Sequence, residues 1–173
     1  MRKAFTLVEL LVVMAIMGIL TIITVSQFRT ARKRANDVAR KGDLNAVAKA
    51  LQMYFADYGV MPDMDDSSGG QIEVESEVKT WGGEFADNAS TPYVYMKKLP
   101  VENTSGWPQY CYKTDDDNKK YALFARLEVK SDSECVDVNP VDGVGDYSCG
   151  GYNGYCYANV SPNTSLDEDG DLQ

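Results

Sequence analysis

The sequence predicts an α+β fold in which one long N-terminal helix packs on a small antiparallel sheet and disulfides hold the C-terminal loops. Three observations support this fold. Phe5 to Val25 is an apolar run with one ionisable residue in twenty-one positions. Apolar residues then recur at steps of three or four as far as Tyr58, the period of an amphipathic helix. Residues 109–129 hold two aromatic and β-branched segments around an Asp/Asn-rich turn, which predicts a β-hairpin.

The apolar run 5–25 is long enough to cross a bilayer, since about 20 apolar residues span the hydrocarbon core as a helix. Only residues 1–4 precede this run, and the small residue Ala4 lies before it. A secretory signal peptide instead places its small-residue cleavage site after the apolar region. Cleavage at Ala4 would therefore leave the hydrophobic helix on the mature protein.

Glu9 is the ionisable residue inside the apolar run. A carboxylate near the bilayer centre costs roughly 2.5 to 3.5 kcal/mol on insertion scales. Glu9 therefore requires a partner or a function, unless it lies protonated near the headgroups.

Residues 2–10, RKAFTLVEL, resemble the leader and mature N-terminus of type IV pilins and type II secretion pseudopilins. The resemblance implies that a prepilin peptidase cleaves between Ala4 and Phe5 and that the new Phe5 amine is N-methylated. It further implies that the pilus assembly machinery extracts the subunit from the membrane into a helical filament with other minor pilins. In that family, the glutamate at the position of Glu9 neutralises the terminal amine of a neighbouring subunit. Ala4 departs from the family, which usually has glycine there.

The amphipathic half of the helix covers residues 26–58, and Gly59 with Pro62 is expected to end it. Within the membrane half, Gly18 weakens the helix, because an interior glycine costs ~1 kcal/mol relative to alanine. Related pilins often carry a proline eight residues later, and the helix between melts on assembly. Ser26 stands there in this chain, so helix flexibility at Gly18 is predicted from the glycine alone.

The predicted domain organisation is a leader at 1–4, a transmembrane and filament-core helix at 5–25, its amphipathic half at 26–58 and a globular head at 59–173. Within the head, a variable loop at 63–92 contains a short edge strand over 72–78. A helical turn at 93–98 leads to the hairpin. A cysteine-, glycine- and tyrosine-rich region at 131–173 adds a strand at 154–157.

All four cysteines lie in the head. The absence of C-x-x-C pairs and of histidine speaks against zinc. An even number of cysteines after a membrane helix predicts two disulfides, formed outside the cytoplasm. Three connectivities are open, and the preferred one joins sequence neighbours: Cys111 with Cys135, and Cys149 with Cys156.

Charge divides sharply along the chain. Residues 1–58 hold nine Lys and Arg against four Asp and Glu, whereas residues 59–173 hold eight against twenty-two. The acidic head speaks against nucleic-acid binding, which uses clustered basic residues. The absence of histidine, of a phosphate-binding loop and of a GxSxG motif speaks against an enzyme.

The basic run Arg29 to Lys41 has two interpretations, which are compatible because they apply before and after assembly. Before assembly the run contacts anionic headgroups. After assembly it forms inter-subunit ion pairs with Asp37, Asp43 and acidic heads. Because basic residues follow the apolar run directly, the positive-inside rule would place the head in the cytoplasm. The cysteines and the resemblance favour a head outside the cytoplasmic membrane.

The C-terminal segment places Asp167, Asp169 and Asp171 at alternate positions around a glycine, and hard oxygen ligands of this kind suit calcium. Major pseudopilins resembling this chain bind calcium near the C-terminus. The alternative is a solvated acidic tail without a cofactor. Six tyrosines, at 110, 112, 147, 152, 155 and 157, either pack against the sheet or form an adhesive surface.

The predicted function is a structural subunit of an extracellular, type IV pilus-like filament, held in the cytoplasmic membrane before assembly. One alternative is a type II secretion pseudopilin in a short periplasmic fibre. Another is a monomeric membrane-anchored binding module.

Overall fold

The structure is a computed structural model that describes residues 6–67, 69–135, 145–162, 164–167 and 170–173. Contacts divide the chain into two units, Met1–Asn36 and Asp37–Gln173. One helix, α1, spans Leu7–Tyr58. In the described residues it is followed by β1 (Asp63–Asp65), β2 (Gln71–Val74), β3 (Glu77–Lys79), β4 (Phe85–Ala86), β5 (Val94–Met96), β6 (Cys111–Thr114), β7 (Tyr121–Ala125), β8 (Gly145–Cys149), β9 (Tyr152–Gly154) and β10 (Tyr157–Val160).

In the first unit, α1 presents its apolar side chains to the outside. An 18-residue window of α1 has a mean hydropathy of 2.6, and none of it is buried. By length and composition this segment can cross a membrane. The core helix of a soluble protein would bury such a surface. The helix continues through Gly18 and Ser26 without a break, and flexibility at Gly18 stays a prediction.

In the second unit, one face of α1 supplies the core. Leu44, Val47 and Leu51 are fully buried, which confirms the amphipathic period predicted for this part of the helix. The helix ends where predicted, because Gly59 adopts a φ of 71° and donates its N–H to the Phe55 carbonyl at 2.7 Å. A left-handed glycine after the last turn is a common way to satisfy helix carbonyls.

The main sheet is antiparallel in the order β10-β7-β6 and confirms the predicted hairpin. Cys111 in β6 pairs with Phe124 in β7. The turn is held by Asp115, whose Oδ1 accepts the N–H groups of Lys119 at 2.7 Å and Lys120 at 2.8 Å. All five residues of β7 are buried, because β7 is the central strand and is paired on both sides.

A second antiparallel sheet has the order β1-β2-β3. The strand predicted over 72–78 is a hairpin, β2 and β3, in which Ile72 and Val74 are buried. The helical turn predicted at 93–98 is wrong, since β5 lies there and pairs with β4. The Tyr95 ring in β5 packs 5.3 Å from the Phe85 ring in β4, and this aromatic packing favours an extended strand.

Two disulfides join Cys111 to Cys149 and Cys135 to Cys156. All four cysteines are bonded as predicted, but the preferred pairing of sequence neighbours is wrong. Cys149 lies at the end of the β8–β9 hairpin opposite Tyr152 and is bonded to Cys111 in β6. Cys156 directly precedes β10, and the pairing of β10 with β7 brings it to the segment that follows β7.

Candidate functional site

The N-terminus of α1 is capped by Thr6 and Glu9. The Thr6 N–H and hydroxyl donate to Glu9 Oε2 at 2.9 and 2.8 Å, and the Glu9 N–H donates to Thr6 Oγ1 at 3.3 Å. This reciprocal arrangement is a capping box, for which Thr-x-x-Glu is the sequence signal. The Glu9 carboxylate therefore has partners in its own chain. Ala4 and Phe5, the predicted processing residues, lie outside the described residues.

The basic run divides into two parts. Arg29, Arg32, Lys33 and Arg34 are exposed and form no ion pair within the described part of the chain. Arg40 and Lys41, by contrast, bind carboxylates of the same chain. Asp37 binds Arg40 at 2.7 Å, and Asp43 accepts the Tyr110 hydroxyl at 2.9 Å. The two aspartates predicted as inter-subunit partners are thus engaged within their own chain.

Arg40 is the centre of a buried charge cluster. Its Nε lies 2.6 Å from Glu102 Oε2, and its Nη1 lies 3.2 Å from Glu128 Oε1. Its Nη2 donates to the Thr104 hydroxyl at 2.9 Å. The guanidinium also lies 4.6 Å from the Trp107 ring centroid, a favourable cation–π geometry. Side chains from three separate segments of the chain therefore meet at one cation.

Asp37 attaches the chain after β7 to α1. Besides binding Arg40, its carboxylate accepts the N–H groups of Glu128 at 2.8 Å and Val129 at 2.9 Å. A buried carboxylate with three donors is stable, whereas an unpaired buried charge would cost several kcal/mol. The cluster therefore fixes the register between α1 and the end of the main sheet.

The cluster shifts the pKa values of its members. Burial would lower the pKa of Arg40, but hydrogen bonds and attraction from Glu102, with hydrogen bonds from other carboxylates, outweigh burial and raise it. Burial would raise the pKa of Glu102, but hydrogen bonds from Arg40 and Thr104 hold it below its usual value. Both groups are charged at neutral pH.

Lys41 forms a second link between α1 and the head. Its Nζ lies 2.8 Å from Asp132 Oδ1 and 2.6 Å from Glu134 Oε2. The sequence did not predict either link, that of Asp37 and Arg40 or that of Lys41. Asp37 and Arg40 have the i, i+3 spacing of helical ion pairs, but that local signal says nothing of partners more than sixty residues away.

Comparison with known proteins identifies the family of the chain. Residues 1–25 match the family described as the prokaryotic N-terminal methylation motif. The type II secretion system core protein G of Pseudomonas aeruginosa is 34% identical over 109 residues, which is 63% of this chain and 72% of that protein. The chain belongs to the type IV pilin and type II secretion pseudopilin family. The type IV wide pilus major component PilA4 of Thermus thermophilus is 46% identical over 55 residues, 32% of this chain and 42% of that protein. No solved structure matches the chain.

The acidic C-terminal segment of this pilin-like chain is held by hydrogen bonds and an ion pair. Asp167 Oδ1 accepts the Asp171 N–H at 2.8 Å, and the Asp171 carboxylate pairs with Lys113. Asp169, the third predicted calcium ligand, lies outside the described residues. Among the residues that the structure describes, no group of three His, Cys, Asp or Glu is arranged to hold a metal ion.

Of the two uses considered for the six tyrosines, the structure supports packing in the core. Five of the six tyrosines are buried, and Tyr152 is 56% exposed. The buried Tyr155 hydroxyl donates to the Gln109 carbonyl at 2.8 Å. Sheet packing, rather than adhesion, therefore accounts for most of these side chains in this pilin-like head.

Glu102→Gln should lower the free energy of unfolding at pH 7 by on the order of 2 kcal/mol, less than the 3–5 kcal/mol for breaking an isolated buried pair. The reduction is smaller because Asp37 and Glu128 still neutralise Arg40. The folded-state pKa of Glu102 lies below its ordinary value of 4.5. The Glu102 carboxylate therefore stabilises the folded state fully above pH 4.5, and this stabilisation is lost as the pH falls through the folded-state pKa. Denaturant unfolding in detergent, followed by tryptophan fluorescence at pH 7 and at lower pH, measures both effects.

The matched control is Glu84→Gln, because Glu84 is exposed. A Glu102→Gln penalty that is equal at both pH values would contradict the assignment of this charge to the cluster.

Proposed function

We propose that this chain is a structural subunit of an extracellular, type IV pilus-like filament, assembled from the membrane after leader cleavage. The observation that carries the proposal is the uncovered apolar surface of α1 in the first unit. Large exposed apolar patches mark membrane or protein contacts. Lipid can cover this surface before assembly, and the same helices of other copies can cover it in a filament.

The leader motif defines the residue at which the mature apolar helix would begin. A prepilin peptidase would cleave between Ala4 and Phe5, so the apolar helix would begin at the new N-methylated amine. Glu9, four residues further on, would neutralise the Phe5 amine of a neighbouring copy. Partners would then be other copies, the pilus assembly machinery and minor pilins.

We place the head outside the cytoplasmic membrane before assembly and on the cell surface afterwards. Two disulfides in the head support this side, because disulfides persist in oxidising compartments. The role we propose is structural rather than catalytic, and the sequence, which contains no histidine, supports that role.

A type II secretion pseudopilin is the second candidate. The similarity to the relative named as type II secretion core protein G extends over 109 residues, whereas the similarity to the wide-pilus component extends over 55. Recovery of the chain in sheared surface filaments favours the pilus, and confinement to short periplasmic fibres favours the secretion system.

The protein in sheared filaments should begin at N-methylated Phe5, because assembly follows cleavage after Ala4. N-terminal sequencing with mass analysis of the filament and membrane fractions measures both the start and the methyl group. A chain that begins at Met1 and occurs only in membranes would contradict the filament proposal and leave a membrane-anchored module.

Glu9→Val should abolish filaments while leaving the amount of protein in the membrane unchanged, because the neighbouring amine loses its counter-charge. Thr6→Ala is the informative partner variant, since it removes the contacts of the Thr6 hydroxyl with Glu9 but keeps the carboxylate. Filament yield after shearing is the measurement. If Glu9→Val assembles normally, or if Thr6→Ala fails as severely, the proposed amine contact is wrong.

Calcium binding by the C-terminal segment stays a prediction of the sequence. If the predicted aspartates bind calcium, calorimetric titration should give heat with the wild-type chain and none with the Asp167→Asn/Asp171→Asn double variant. Asp66→Asn, which neutralises an exposed aspartate elsewhere, should leave the heat unchanged. Absence of heat in all three proteins would dispose of the calcium site.

A further inference from the structure

Part of α1 between the apolar run and the packed region is left uncovered. Phe28, Ala31 and Ala35 lie on one helix face at steps of three and four, and all are exposed, Phe28 by 72%. At 100° per residue, Arg32 lies on one side of this row and Arg34 on the other. Aromatic residues such as Phe28 and arginines are enriched in protein interfaces. We call these five residues the basic stripe.

The head carries a surface of the opposite sign around the C-terminal end of α1. Asp63 in β1 lies directly opposite Glu73 in β2, and Asn118 in the β6–β7 turn donates to Asp63. The acidic end surface consists of Asp57, Asp63, Glu73, Glu75 and Asp116, all exposed or partly exposed.

The acidic end surface is self-repelling within one chain. Like charges directly opposite in a sheet are destabilising, as Asp63 and Glu73 are. A helix C-terminus favours cations, yet the last turn of α1 holds no basic residue. Burial raises the pKa of Tyr54, and nearby acidic groups, Glu75 and Asp63 among them, raise it further. Lys119 Nζ donates to the Gly59 carbonyl at 2.6 Å, and its single charge does not balance the five carboxylates.

We propose that the acidic end surface of one copy binds the basic stripe of a second copy. This inference rests on the proposed filament function and names one of its subunit contacts. The basic stripe lies in the first unit of the chain and the acidic end surface in the second.

A second copy accounts for both surfaces at once. Anionic lipid would neutralise the arginines but leave the acidic end surface unexplained. A divalent cation would neutralise the carboxylates but leave the exposed Phe28 and its flanking arginines unexplained. Because the two surfaces have opposite charge and occur in every copy, head-to-helix pairing repeats along a filament.

The test uses two charge-reversed full-length chains in cells that assemble the filament. The helix variant is Arg32→Glu/Arg34→Glu, and the head variant is Glu75→Lys/Asp116→Lys. All four side chains are exposed. Each variant alone should reduce the yield of sheared filaments by about tenfold or more, because every contact then joins like charges. Produced together, the two variants should restore filaments that contain both chains, since each altered surface finds its opposite in the other variant.

The matched controls reverse exposed charges outside both surfaces, Lys49→Glu on α1 and Glu84→Lys on the head, and should assemble as the wild type does. Near-UV circular dichroism of each chain in detergent monitors the fold. The neutral head variant Glu75→Gln/Asp116→Asn should show a smaller loss of filaments, and it replaces the reversed variant if that one misfolds.

Failure of the mixed variants to restore filaments, or normal assembly of either variant alone, would overturn this contact while leaving the filament function intact. That result would instead favour lipid or a divalent cation as the partner of each surface. If the wild-type chain never appears in filaments, the proposed function is overturned, and this contact with it.

Discussion

The head depends on the charge cluster around Arg40. One guanidinium binds three carboxylates, from α1 itself, from the segment before β6 and from the segment after β7. None of these charges could be buried alone, because desolvation of an unpaired ion costs several kcal/mol. Together they are satisfied, and Trp107 lies within 5 Å of both Arg40 and Arg126. Since the interaction is directional, it sets the register of α1 against the head in a way that apolar contacts such as that of Leu51 do not.

The apolar core and the charge cluster make different contributions to the packing of α1. Leu44, Val47 and Leu51 supply burial, which is strong but tolerates small displacements. Asp37, Arg40 and Lys41 lie one to two turns before this core and add contacts of fixed geometry to segments far away in sequence. The packed part of the helix therefore begins at Asp37, eleven residues later than the amphipathic half predicted from periodicity.

The sequence predicts those elements that are determined by local patterns of residues. The α1 helix, its end at Gly59 and the β6–β7 hairpin follow from periodicity and turn residues, because these signals lie within a few residues. The contacts of Arg40 with Glu102 and Glu128 and the pairing of β10 with β7 depend on chain segments more than thirty residues apart. The disulfide pairing follows from that strand pairing, so sequence proximity gave the wrong partners for Cys149 and Cys156.

The capping box at the start of α1 clarifies how one carboxylate can suit two environments. In a single subunit, Glu9 accepts two hydrogen bonds from Thr6, so the charge that must enter the membrane is never without donors. In the proposed filament, the neighbouring Phe5 amine would offer a positively charged donor, which attracts the carboxylate more strongly than the neutral donors of Thr6 do. A low-dielectric helix bundle increases that difference. Exchange of Thr6 for the amine would therefore favour the assembled state without ever exposing an unpaired carboxylate to lipid.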